Sequence, residues 1–160
     1  ESNDKRLVES MKENYIKCYV SQQKGFIKYI DKKEIEKEYD FYKVITARAS
    51  FEANSGFGNC LIANENEIYS KSYISFKVNT EKEAKSLLSY LKCRLPNFML
   101  SLRKISQDIS ESTCKWIPLV PLDREWNDAD VYSYLKLSDD EIQFIRNTPI
   151  IGFCKKETTC

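Results

Sequence analysis

The run from Asn79 to Lys104 constrains this chain more than any other stretch. Thr80 stands three residues before Glu83, the spacing of a capping box, in which each side chain takes the other residue's orphan backbone N–H. Behind it Ala84, Leu87, Leu88, Leu91, Leu95, Phe98, Met99 and Leu102 recur at spacings of three and four. They form one apolar stripe, with Lys85, Ser89, Lys92 and Arg103 on other faces, and such a stripe needs a second layer to bury it. Pro96 falls within the stripe, where a proline lacks a backbone donor and clashes with the preceding turn, at about 3 kcal/mol in a helix interior. The run predicts a long amphipathic helix, kinked or broken near Leu95.

The flanking segments predict an α+β (α/β) class, with a small mixed or antiparallel sheet packed on helices. Leu7, Val8, Met11, Tyr15, Ile16, Tyr19 and Val20 recur at helical spacing, so residues 4–22 read as a helix ended by Lys24-Gly25. Phe26–Ile30 and Tyr42–Ala49 are rich in β-branched and aromatic residues and read as strands, either a hairpin or two neighbours, across the charged run Asp31–Glu38. Ser55-Gly56-Phe57-Gly58 reads as a flexible turn. Leu61–Ala63 and Ser72–Val78 are further strand candidates around the polar turn Asn64–Asn66. Pro118 and Pro121 bias Cys114–Leu122 to extended geometry, as an edge or a strap. Asn127 and Ser138 each precede acids suited to a helix start, predicting two short helices, with Thr148-Pro149 stopping the second.

A chain of 160 residues, 42% hydrophobic and 31% charged, is long enough to bury a core without disulfides or metals. We read residues 1–160 as one domain, built of an N-terminal helix (1–24), a sheet with the kinked helix (25–122), and C-terminal helices with a tail (123–160). The apolar runs fall short of the ~20 residues that span a bilayer. Glu1–Arg6 carry no hydrophobic signal core and no initiator Met, so the chain reads as a cytoplasmic piece of a longer polypeptide. The six cysteines form no CxxC pair and there is no histidine, which excludes Cys/His zinc sites; the thiols read as reduced core residues.

Missing histidine also excludes His-based nucleophile triads and HExxH metalloprotease sites. Gly56-Phe57-Gly58 continues into neither a P-loop nor GxGxxG. Asp128/Asp130 and Asp139/Asp140/Glu141 stand at helix starts, where capping accounts for them without a metal. No catalytic and no metal-binding residue is assigned. Charge is polarised beneath a net value of +1. Residues 81–104 carry six basic side chains against Glu81 and Glu83, whereas residues 123–146 carry seven acids against Arg124, Lys136 and Arg146. One face can therefore approach phosphate. Basic and amide side chains near loops, among them Lys43, Asn54, Asn59, Lys71 and Lys92, suit phosphate anchoring and base-edge hydrogen bonding.

The order of short blocks from about Tyr42 to Asn147 points further. It runs Lys43-Val44 with Arg48-Ala49-Ser50, a Gly-bearing loop, Ser72-Tyr73-Ile74, and Thr80-Glu81-Lys82-Glu83-Ala84 leading into Ser89-Tyr90-Leu91-Lys92. It continues with Leu100–Lys104, Ser106-Gln107-Asp108, Trp116-Ile117-Pro118-Leu119, Trp126-Asn127-Asp128, and Leu137–Ile142 with Phe144-Ile145. This succession resembles the C-terminal target-recognition region of bacterial type IIG-like restriction–modification enzymes and adenine-specific DNA methyltransferases. It departs from them at Cys93–Asn97, where the family usually has an uninterrupted, aromatic-rich helix, and residues 1–41 lie outside it.

The resemblance implies site-specific binding of double-stranded DNA on behalf of an upstream methyltransferase domain of the same protein, which would extrude an adenine and methylate it with S-adenosylmethionine. Neither the Asn/Asp-Pro-Pro-aromatic methyltransferase motif nor a PD…(D/E)xK nuclease motif occurs here. Catalysis and the cofactor are therefore expected elsewhere in the parent. Arg48, Arg94, Arg103, Lys104 and Gln107 are the expected DNA contacts, mostly to phosphate. The alternative is a structural or protein-interaction domain without DNA binding, docked through the acidic 123–146 region.

Overall fold

The computed structural model describes residues 4–21, 26–36, 39–49 and 52–153. Among these residues two three-stranded sheets and five α-helices give the mixed α+β class that the sequence predicts. In the first sheet β1 (Tyr15–Ser21) lies between β2 (Phe26–Asp31), antiparallel, and β5 (Glu67–Tyr69), parallel. In the second, β3 (Tyr42–Ala47) lies between β4 (Leu61–Ala63) and β6 (Tyr73–Val78), both antiparallel. The helices follow: α1 (Glu81–Leu91), α2 (Arg94–Arg103), α3 (Glu111–Cys114), α4 (Asp128–Tyr134) and α5 (Asp139–Asn147).

β3 shows how the layers stack, because successive strand residues face opposite sides. Val44 packs with Ala84, Leu91, Leu100 and Val78 on the helical side. Its neighbour Ile45 packs with Tyr19 of β1, Ala63 and Tyr73 on the other. The second sheet is thus a middle layer, with the first sheet on one face and α1–α2 on the other. The far side of α1–α2 is closed by α4 and α5, where Tyr90, Leu95 and Phe98 meet Trp126, Val131, Tyr132 and Ile145.

Residues 15–21 form a strand, not the end of an N-terminal helix. Tyr15, Ile16, Tyr19 and Val20 fit helical spacing, yet Ile16, Cys18 and Val20 also fit alternation, and all three are buried. Pairing with β2 and β5 decides between the two periods. Lys24-Gly25 lies outside the described residues. β2 and β3 are not partners either, since each belongs to a different sheet. β5 adds a strand to the expected set, and α3 a short helix ahead of the strap.

The helix from Glu81 breaks rather than bends. α1 ends with Lys92 as its C-cap and α2 restarts from Cys93, so Pro96 occupies the first turn of a new helix, where its missing N–H leaves no hydrogen bond unmade. Capping boxes close Thr80 with Glu83 and Ser138 with Glu141, and Asn127 caps α4. The strap expected over Cys114–Leu122 starts later, since Cys114 ends α3 and Lys115 and Trp116 form a turn. Tyr90 donates its hydroxyl to the Pro118 carbonyl at 2.7 Å, and Trp126 donates its indole N–H to that of Pro121 at 2.9 Å. Among the described residues no helix is long and apolar enough to cross a membrane.

Candidate functional site

The five expected DNA contacts divide into two groups. Arg94 is 8% exposed and Lys104 2%. Arg94 lies at the start of α2, and its guanidinium donates to the carbonyls of Ile145 at 2.7 Å and Thr148 at 2.5 Å, the end of α5. A cation there also complements the helix dipole. Lys104, just past α2, donates to Ser55 Oγ at 2.8 Å and to the Glu52 carbonyl at 3.3 Å, and burial holds its pKa below the ordinary lysine range. Both charges join one part of the fold to another, Arg94 through two carbonyls and Lys104 through a hydroxyl and a carbonyl.

Asn97, one turn into α2, completes this buried polar row. Its side-chain N–H groups donate to the carbonyl of Leu91 at 2.8 Å, an orphan at the end of α1, and to that of Cys93, the N-cap of α2, at 2.7 Å. Its carbonyl oxygen accepts from the Phe57 backbone N–H at 2.8 Å. Gly56 sits so close that an added Cβ would collide with the Asn97 side-chain oxygen. The Gly56-Phe57-Gly58 segment, expected as a flexible turn, is a latch that only glycine fits at its first position.

Arg48, Arg103 and Gln107 are exposed. The structure brings the segments that carry them side by side: the Ile109 N–H donates to the Arg48 carbonyl at 2.7 Å, and Ala49 and Asp108 form an antiparallel bridge. Arg103 ends α2 and Gln107 lies four residues on. The Arg103 guanidinium stands over the Trp116 ring, 5.2 Å from its centroid. In the sequence Trp116 falls in the strap and in one block of the resemblance, and Ile105, which is 94% exposed, falls in neither. Leu102, at 61%, and Trp116, at 57%, make an apolar border to the same surface. Lys115 is exposed beside Trp116. The apolar stripe read from the sequence carried no signal for this, since it places Leu102 inward, whereas Leu102 is exposed and Lys104, which lies past the helix end, is buried.

Other chemistry-bearing groups are occupied within the fold. A broad cleft of about 860 Å³ is lined by Tyr15, Tyr29, Tyr42, Lys17, Glu65 and Glu67, among others. On its wall Lys17 Nζ lies 3.0 Å from Glu67 Oε1, and the Tyr19 hydroxyl donates to Glu67 Oε2 at 3.0 Å. Burial alone would raise the Glu67 pKa, but the hydrogen bonds from Asn64 N–H, Lys17 and Tyr19 outweigh it and hold the carboxyl below its usual range. Lys43 is buried with its ammonium on the carbonyls of Tyr39, Phe41 and Asn64, and burial pulls its pKa down to about 8. Burial pushes the thiols of Cys18 and Cys60 up to about 11 and that of Cys93 to about 12, values of inert core thiols. Cys154 and Cys160 lie outside the described residues.

The acids expected as caps include Asp128, which accepts the Arg94 backbone N–H at 2.6 Å, and Glu141, which accepts that of Ser138 at 2.8 Å. Among the described residues no group of three or more Cys, Asp or Glu side chains is placed to hold a metal ion. What the exposed surface offers is hydrogen-bond donors, two guanidinium groups and an apolar tip, a set suited to recognition. No protein family, no curated protein and no solved structure matches the chain.

Proposed function

We propose that this chain is a DNA target-recognition module, part of a restriction–modification methyltransferase, that contacts duplex DNA through Arg48, Arg103 and Gln107. The observation that carries the reading is the junction of residues 48–49 with residues 103–109, which gathers exposed side chains of the types that anchor phosphate and read base edges. The block order from Tyr42 to Asn147 supports the same assignment. Trp116 beneath Arg103 holds a flat guanidinium in place, which reduces the rotamer entropy lost when it meets a phosphate.

In this reading the chain supplies selectivity and an upstream domain of the same cytoplasmic protein supplies chemistry, with S-adenosylmethionine as methyl donor and adenine as target. Arg94 and Lys104 act indirectly, by fixing α2 against α5 and against the loop at Glu52–Ser55. The apolar border at Leu102 and Trp116 favours a second reading, a protein-docking surface, because Trp and Arg dominate the energetics of such interfaces.

Fluorescence anisotropy with a random duplex pool at about 50 and 200 mM salt separates the two. A module that neutralises two or three phosphates gives a log–log salt slope of about −2 to −3, at about −0.9 per phosphate. The Arg48→Glu/Arg103→Glu variant is expected to lose that binding. Absence of salt-sensitive binding in the unmodified chain favours the protein-docking reading.

A further inference from the structure

Ile105 is the most solvent-exposed large apolar residue in the described chain, and it stands directly beyond a buried one. Its 94% exposure means that the fold gains almost nothing from its side chain. The backbone around it, in contrast, is held at both ends. Lys104 on one side is anchored to Ser55 Oγ and the Glu52 carbonyl. Ile109 on the other is buried, with its N–H on the Arg48 carbonyl at 2.7 Å. Residues 105–108 are therefore a short tip on two fixed posts. An isolated exposed apolar residue is ordinary, but this one is flanked by Arg103 and Gln107, and Leu102 and Trp116 extend the apolar surface at its base.

A wedge into DNA needs the same three properties. An apolar side chain enters between base pairs, where the stacked faces are themselves apolar. Cations beside it hold the phosphates on either side of the opened step. The supporting backbone is ordered beforehand, because unstacking costs a few kcal/mol and further loss of freedom on binding would add to it. Trp116 fits the role less well, since the Arg103 guanidinium covers its ring. The charges on the stretch also set its orientation. Asp108 and Glu111 are exposed carboxylates that phosphate repels, so the approach is led by Arg103 and Ile105.

We propose that Ile105 is a wedge residue, inserted into a base step of the bound duplex while Arg103 and Arg48 hold the adjoining phosphates. The proposal rests on the DNA-recognition reading above and adds to it a deformation of the DNA. Opening one step would favour sequences that unstack easily, such as pyrimidine–purine steps, and so contributes selectivity without a base-edge hydrogen bond.

The test uses the whole chain with a random-sequence duplex pool carrying 2-aminopurine in place of some adenines; this base brightens when it unstacks. Binding is read by anisotropy and unstacking by fluorescence in the same samples, for the unmodified chain, Ile105→Ala and Ile105→Phe. Because Ile105 makes no buried contact, the variants are expected to melt at the unmodified temperature. Binding with a severalfold rise in brightness, kept by Ile105→Phe and lost by an Ile105→Ala variant that still binds, is the expected result. Equal brightness in the bound unmodified and Ile105→Ala chains overturns the wedge and leaves DNA recognition standing. No binding by any of the three removes the DNA reading and the wedge together, and assigns the apolar tip to a protein partner.

Discussion

At the residue scale the side chains of most consequence are polar and buried. Asn97 donates to the carbonyls of Leu91 and Cys93 on either side of the helix break and accepts from Phe57, so one amide joins α1, α2 and the Gly56 loop. The contact is also steric, since Gly56 lies against the Asn97 side chain with no room for a Cβ. Gly56→Ala is expected to destabilise the fold by about 1–3 kcal/mol, the range for overpacking. Asn97→Ala is expected to cost about 2–3 kcal/mol for the stranded polar groups. Urea unfolding of the double variant should show less than the sum, with a coupling on the order of 1 kcal/mol, because removing the amide frees part of the space that the methyl group added at position 56 needs. Strict additivity would show that the latch does not exist. The sequence pointed to neither residue's role. Asn97 lay in the stretch that departs from the resembled family, and backbone carbonyls, its main partners, leave no trace in side-chain identity. The burial of Arg94 and Lys104 was illegible for the same reason: a basic residue buried on oxygen acceptors and one on the surface look alike in a sequence.

At the scale of elements, the caps were legible, as was the apolar stripe from Ala84 to Met99 though not at exposed Leu102, and the alternation of β1 was not. The Thr80 and Ser138 boxes close as spacing predicts, because a capping box is a local arrangement complete within four residues. β1 was misread because Tyr15, Ile16, Tyr19 and Val20 fit the helical period while Ile16, Cys18 and Val20 fit alternation, and the partners that settle it, β2 and β5, enter from elsewhere in the chain. β5 covers only Glu67–Tyr69, too short to carry a period of its own. The start of α2 shows what a local cap cannot supply. Cys93 makes no side-chain capping bond, and the Arg94 N–H is taken instead by Asp128 at the beginning of α4, at 2.6 Å. One carboxylate thus serves a helix distant in sequence. Asp128→Ala is expected to cost about 1–2 kcal/mol, more than most caps, because it removes a charged acceptor from a partly buried donor. Thr80→Ala, at an exposed cap, is expected to cost about 1 kcal/mol. Thermal melts of the two variants side by side test the ranking, and a smaller loss for Asp128→Ala would mean that α2 is held by its packing alone.

For the whole molecule, the order first sheet, second sheet, α1–α2, α4–α5 makes α2 an interior element whose last residues reach the surface. That arrangement separates charges that composition had pooled. Of the six basic residues between 81 and 104, Arg94 and Lys104 are consumed by internal carbonyls, whereas Lys82, Lys85, Lys92 and Arg103 are exposed. Of the seven acids between 123 and 146, by contrast, all but Asp128 are exposed, so what the fold withdraws from the surface is mostly positive charge. The distinction yields an outcome that adjacent residues should not share. Arg103→Glu reverses a surface charge and is expected to leave stability within about 0.5 kcal/mol while reducing the salt slope of DNA binding by about 1. Lys104→Glu puts a carboxylate against the Glu52 carbonyl and Ser55, and is expected to destabilise the fold by about 3–5 kcal/mol. Any loss of DNA binding in Lys104→Glu should then follow the fraction unfolded, and cooling or a stabilising osmolyte should restore both together. A Lys104→Glu chain that melts normally yet fails to bind DNA would place that lysine on the DNA after all.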